Sequence, residues 1–182
     1  MINDALVNFL PPGSNLSIVG AVGVGFASNV VDILGTGVGT APQNIIGTRT
    51  LFGSDLGIGP CRPMVQSVVG MAFTNGTGTP SLNVQFQAAV DTGSGGGYQP
   101  GAWITLVETG PILVANLTAG AILGRFDLPP AFPVGTMPRY LRMFYSVLTA
   151  TNFAAGTISS CVTTTERDDW AEKYAAKNFV VA

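Results

Sequence analysis

The sequence predicts an all-β protein, a sandwich or a barrel, and three observations carry that expectation. Eight short strand-like runs recur along the chain, several of them alternating apolar and polar residues with a period of two. Clusters of Gly, Pro, Asn and Ser separate the runs, drawn from 24 glycines and 12 prolines, and such clusters mark turns. Between the runs there is almost no helical stretch of the ~10–12 residues that an amphipathic helix needs.

The elements follow in chain order. Residues 1–27 read as an N-terminal arm or first strand. The apolar run over 16–31 is interrupted by Gly20, Gly23 and Gly25 and falls short of the ~20 apolar residues of a membrane span. The opening "MINDALVNFLPPG" has no basic region of the signal-peptide kind. No membrane partner is expected. The body should cover residues 28–165. Its first runs are "NVVDIL" (29–34) and "MVQSVVGMAF" (64–73). The clearest is "SLNVQFQAAV" (81–90), where Leu82, Val84, Phe86, Ala88 and Val90 face one way and Asn83, Gln85 and Gln87 the other. That is the alternation of a half-buried antiparallel strand. "DTGSGGGY" (91–98) is a loop whose glycines permit positive φ. "AWITLVE" (102–108), "ILVANL" (112–117) and "AILGRFDL" (121–128) are expected as three further strands. The four prolines of "LPPAFPVGTMP" (128–138) exclude a central strand there. "PRYLRMFYSV" (138–147) and "TISSCVTT" (157–164) complete the eight. Residues 166–182 read as a separate charged tail: "ERDDWAEKYAAKN" holds seven of the chain's 18 charges, with acids first and lysines last, as a short helix would have them, and the pattern leaves one or two helical turns and an extended tail both open.

Charge bears on function. Only 10% of the residues are charged, against roughly 25% in an average soluble domain, and no lysine precedes Lys173. Free protein surfaces carry mixed charge, whereas interfaces are depleted in Lys, Asp and Glu and enriched in Arg and aromatics. Much of this surface is therefore expected to be covered in the working state. The net charge of −2 gives no basic footprint for nucleic acid. Histidine is absent, which removes Ser–His–Asp and Cys–His catalysis and most zinc chemistry. The glycine runs at 20–25 and 93–97 lack the strand–loop–helix context of a phosphate loop. Cys61 and Cys161 are too few for a metal knot; they could pair with each other, and free, buried thiols are the favoured reading. No catalytic, cofactor-binding or metal-ligating residue, and no cofactor, is expected.

The run "PRYLRMFYSV" raises the sharpest question. Leu141, Met143, Tyr145 and Val147 make one apolar face, while Tyr140, Arg142, Phe144 and Ser146 occupy the other, with Arg139 at the start. Aromatics and arginines on a second face mean either a covering element of the same chain or a protein interface. Periodicity alone leaves both open. The candidate interface residues are Arg139, Tyr140, Arg142 and Phe144 on this run and Asp168, Asp169, Trp170 and Tyr174 on the tail.

The order of motifs "SNVVDIL" (28–34), "SDLGIG" (54–59), "LNVQFQAAVD" (82–91), "LTAGAILGRFDLPP" (117–130), "PRYLRMFYSV" and "FAAGTISSCVTTTERDD" (153–169) resembles the capsid cement, or head decoration, proteins of tailed bacteriophages, of the Bordetella-phage type. The resemblance spans roughly residues 28–169. It implies a β jelly-roll sandwich without catalysis, acting as a homodimer or homotrimer. Its partner would be the major capsid protein, bound on the exterior of the virion after synthesis in the bacterial cytoplasm. This chain is longer than that pattern before Ser28 and over 99–110. The alternative is a fibre or adhesin-type jelly roll that binds host carbohydrate. Its mark would be a loop cluster of Trp or Tyr with Asp or Asn, and Trp103 and Trp170 lie far apart in sequence.

Overall fold

The computed structural model of the protein describes residues 9–10, 15–20, 22–32, 36–40, 50–52, 63–93, 99–127 and 138–164; for 36–40, 50–52, 63, 127 and 161–164 it describes the backbone alone. The described residues form strands β1 (Leu16–Ser17), β2 (Gly25–Ala27), β3 (Val31–Asp32), β4 (Thr36–Thr40), β5 (Thr50–Phe52), β6 (Pro63–Asn75), β7 (Ser81–Asp91), β8 (Pro100–Leu113), β9 (Ile122–Asp127), β10 (Pro138–Val147) and β11 (Phe153–Thr164). The all-β expectation holds. One sheet has the order β1-β11-β6-β9. The other runs β2-β10-β7-β8, with β3 pairing β10 along the same edge as β2, and β4 and β5 make a separate two-stranded ribbon. Every pairing is antiparallel.

The alternation in the sequence decides what each strand buries. Leu82, Val84 and Phe86 of β7 are fully buried, as are Met143 and Tyr145 of β10. They join Val65, Val69 and Phe73 of β6, Phe126 of β9 and Phe153 and Ile158 of β11 in one core between the two sheets. Each such side chain is worth roughly 1.5–3 kcal/mol when removed from water. Phe73 and Phe153 meet edge to face with ring centroids 4.8 Å apart, the arrangement that their ring quadrupoles favour. A small polar knot crosses this core. The Tyr145 hydroxyl reaches Ser67 at 2.9 Å and also bonds Ser160, and the two serine hydroxyls are 2.6 Å apart. Buried hydroxyls need such partners, and these bond one sheet to the other.

Two elements differ from the sequence expectation. "ILVANL" is not a strand of its own. Ile112 and Leu113 end β8, and Val114–Asn116 is a single 3₁₀ turn. The chain crosses "TGP" without leaving the sheet because Gly110 takes φ +72° at an irregularity opposite Val84, between the Asn83↔Pro111 and Gln85↔Glu108 pairs. Pro111 is tolerated because β8 is an edge strand, where a missing N–H costs no ladder bond. The second difference concerns residues 1–27. Their described part supplies β1 to one sheet and β2 to the other, and Phe9 and Ile18 are buried in the core. No helix of the described residues is long and apolar enough to cross a membrane. Cys61 and the side chain of Cys161 lie outside the described residues, as does the tail 166–182.

Candidate protein interface on the outer face of the five-stranded sheet

The four interface residues expected on β10 separate into two groups. At the start of the strand the register against β7 slips by one residue: Pro138 pairs with Val90 and Tyr140 with Ala89. Arg139 is the extra residue of this bulge, and a bulge re-aims its side chain. The Arg139 guanidinium donates from Nε and Nη2 to both oxygens of Asp32, each at 2.8 Å, and from Nη1 to Asp91 Oδ2 at 3.0 Å. Asp32 belongs to β3 and Asp91 ends β7, the strands on either side of β10. One side chain therefore ties three strands together, through the planar fork that suits carboxylates. Its pKa is raised above the ordinary arginine value, first by the hydrogen bonds to Asp32. Asp91 also accepts the backbone N–H groups of Gly93 at 2.9 Å and Gln99 at 3.1 Å. Those bonds, the Gly93 one foremost, hold its carboxyl below the usual range. Arg139 is 9% exposed and Tyr140 5%. Both are parts of the fold, not a free surface.

Arg142 and Phe144 are half-buried on the outer face. Cross-strand register extends them into rows: Ala27–Phe144–Gln85–Glu108 and Arg142–Gln87–Thr105, with Tyr140–Ala89–Trp103 beside them. Phe144 lies over Gly25, where a Cβ would collide with the ring; the strand approaches that closely because residue 25 has no side chain. Arg142 sits 4.0 Å from the centre of the Trp103 ring and 4.9 Å from that of Phe144. Trp103 reaches it diagonally across β7, a span open to aromatic and long side chains, past the small Ala89.

The polar residues of this face form a directed relay. Arg142 Nε donates to Gln87 Oε1 at 2.8 Å; Gln87 Nε2 donates to Gln85 Oε1 at 2.8 Å; Gln85 Nε2 donates to Glu108 Oε2 at 3.0 Å. Asn83 Nδ2 donates to the same Glu108 oxygen at 2.8 Å. A cation stands at one end and a carboxylate at the other, with both amide dipoles aligned between them, so that each bond strengthens the next. Burial pushes the Arg142 pKa down, because β10 partly desolvates a charge that lacks an ion-pair partner among the described residues.

Sequence reading placed Arg142 and Phe144 on one face and found the Asn83, Gln85, Gln87 alternation. Trp103 and Glu108 escaped it, since both join the face only through the register of β8, which local spacing does not encode. Asp168, Asp169, Trp170 and Tyr174 lie outside the described residues. Among the described residues, no group of three or more His, Cys, Asp or Glu could hold a metal ion. The chain matches no model of a known protein family and none of the curated proteins compared with it.

Proposed function

We propose that the protein is a structural component of a virion: a jelly-roll cement protein that docks on the outside of a tailed-phage head and staples neighbouring capsomers. The observation that carries this reading is the outer face of the five-stranded sheet. It presents a guanidinium held against Trp103 and Phe144 and a polar relay, on a chain with only 10% charged residues. Arg and aromatic side chains are the residues that anchor protein interfaces. Exposed Val19, Val22, Val24 and Leu148 add apolar area elsewhere on the surface.

Strand order supports the jelly roll. Of the eight strands β1, β2, β6, β7, β8, β9, β10 and β11, the first pairs the last, the second the seventh, the third the sixth and the fourth the fifth. That is the pairing of one long hairpin folded over into two sheets, as in jelly rolls. Binding carbohydrate is less well supported. The arginine covers one face of Trp103, and the acceptor oxygens of Gln85 and Gln87 and one oxygen of Glu108 are already engaged, leaving few groups to read sugar hydroxyls.

The mechanism is linkage. A protein that binds the assembled shell and not its free subunits stabilises that shell by mass action, over many equivalent sites. The test is a comparison of particles stripped of this protein with complete ones. Stripped particles should release DNA at a lower temperature, and adding the protein back should abolish the difference. Equal melting would remove the cement role.

A further inference from the structure

We infer that Arg142 is the receptor for a single carboxylate, that of an Asp or Glu side chain on the protein against which this sheet face docks. The inference rests on the docking reading above and names the chemistry of the partner.

Three observations carry it. First, among the described residues only Nε of the guanidinium is used, by Gln87 at 2.8 Å. Among the described residues Arg142 makes no further hydrogen bond or ion pair, which leaves open its Nη1–Nη2 edge, one of the two edges that match both oxygens of a carboxylate. Second, the group is already positioned. Trp103 and Phe144 flank it and Gln87 fixes its Nε, so little side-chain freedom remains to be lost on binding. Third, the acids of the described body are committed. Asp32 and Asp91 hold Arg139, and Glu108 accepts from Asn83 and Gln85. The guanidinium stays protonated, and a half-buried cation without a counter-ion is a cost that an incoming carboxylate removes.

The same features argue against other anions. Glu108 at the far end of the relay contributes a negative charge to this face, and Arg139 meets two aspartates with its single charge. The single cation of Arg142 suits one carboxylate, whereas a phosphate dianion or a polyanion would meet greater repulsion from Glu108 and from the two aspartates on Arg139.

The test has two arms, both on the full chain. In the first, the Nε–H signals of 15N-labelled arginine are followed by NMR during titration with N-acetylglutamate methylamide, inorganic phosphate or lactose. The Arg142 signal is assigned from its loss in Arg142→Lys. The glutamate probe should shift the Arg142 signal at lower concentration than phosphate does, and lactose should not move it. An unmoved Arg142 signal, or stronger binding of phosphate or lactose, overturns the inference whether or not the protein occupies capsids. In the second arm, Arg142→Gln is added to stripped particles. Its affinity should fall at least tenfold, about 1.4 kcal/mol, with Arg142→Lys recovering only part of the loss because it lacks the fork. Full affinity of Arg142→Gln overturns the inference. So does dissociation of a self-assembled oligomer by Arg142→Gln with particle binding intact, which would place the carboxylate on a sister copy. Failure of the unaltered protein to occupy particles, with the glutamate shift present, removes the cement reading and leaves carboxylate recognition standing.

Discussion

Strand β10 carries two arginines three residues apart, and their surroundings are opposite. Arg139 sits at the bulge with three of its nitrogens on Asp32 and Asp91. Arg142, on a regular stretch paired with Gln87, has aromatic rings and an amide but no carboxylate among the described residues. The first is a structural pin: its charge is met by two carboxylates of the same chain, across three strands. The second is a positioned charge whose balance is left to something outside the described residues. The difference separates a residue that ties strands of the domain together from one with no ion-pair partner among the described residues.

The largest effect should come from the pin. Arg139→Gln leaves Asp32 and Asp91, on the strands flanking β10, as two carboxylates without their cation. Removing one partner of a buried pair costs more than removing the pair. Scanning calorimetry should show a fall in Tm larger than that of any single change at Arg142. Adding Asp32→Asn and Asp91→Asn to Arg139→Gln should restore part of it, since the three side chains act as one unit. An Arg139→Gln protein as stable as Arg142→Gln would erase the contrast between the two sites.

Acid should expose the same pin at an intermediate level. The Asp91 carboxyl is held below its ordinary value, first by the Gly93 N–H, against the opposing cost of burial, and then by the Gln99 N–H and Arg139. A depressed folded-state pKa gives stability that is present above the unfolded value, near 3.8, and lost as pH falls through the folded one. The raised Arg139 value adds no slope there, because its contribution is complete everywhere below the ordinary arginine range. Denaturant titrations across the acid range should therefore show falling stability, and Asp91→Asn should flatten that limb. An unchanged slope in Asp91→Asn would assign the acid limb to other carboxylates.

The smallest effect on stability should be at Arg142. Arg142→Gln gives up contacts with Trp103 and Phe144 that are worth about 0.5–1 kcal/mol at a partly exposed site. Urea unfolding should show a slightly lower midpoint and an unchanged slope. A loss as large as that of Arg139→Gln would make Arg142 a second structural pin.

Much of this was legible in the chain itself. The period-two patterns of "SLNVQFQAAV" and "PRYLRMFYSV" fixed which residues enter the core, because side chains on a strand alternate between its two faces. Leu82, Val84, Phe86, Leu141, Met143, Tyr145 and Val147 are all buried. The scarcity of charge and the absence of histidine were equally open to reading. The role of Gly110 was not: as punctuation it divides two strands, yet at φ +72° it lets one strand pass through an irregularity. Nor were β1 and β2, at two and three residues, long enough to show a period.

What the sequence alone determined is the class of the fold and the inward face of each long strand, since both follow from hydrophobic spacing within a few residues. What only the tertiary structure decided is which outward residues act together. Arg139 and Arg142 look alike in "PRYLRMFYSV". They part because a bulge opposite Val90 and Ala89 turns one toward Asp32 and Asp91, 107 and 48 residues away. The register of β8 brings Trp103 within 4.0 Å of the other. Register is fixed by pairing between distant strands, and that long-range information is absent from any local stretch of the chain.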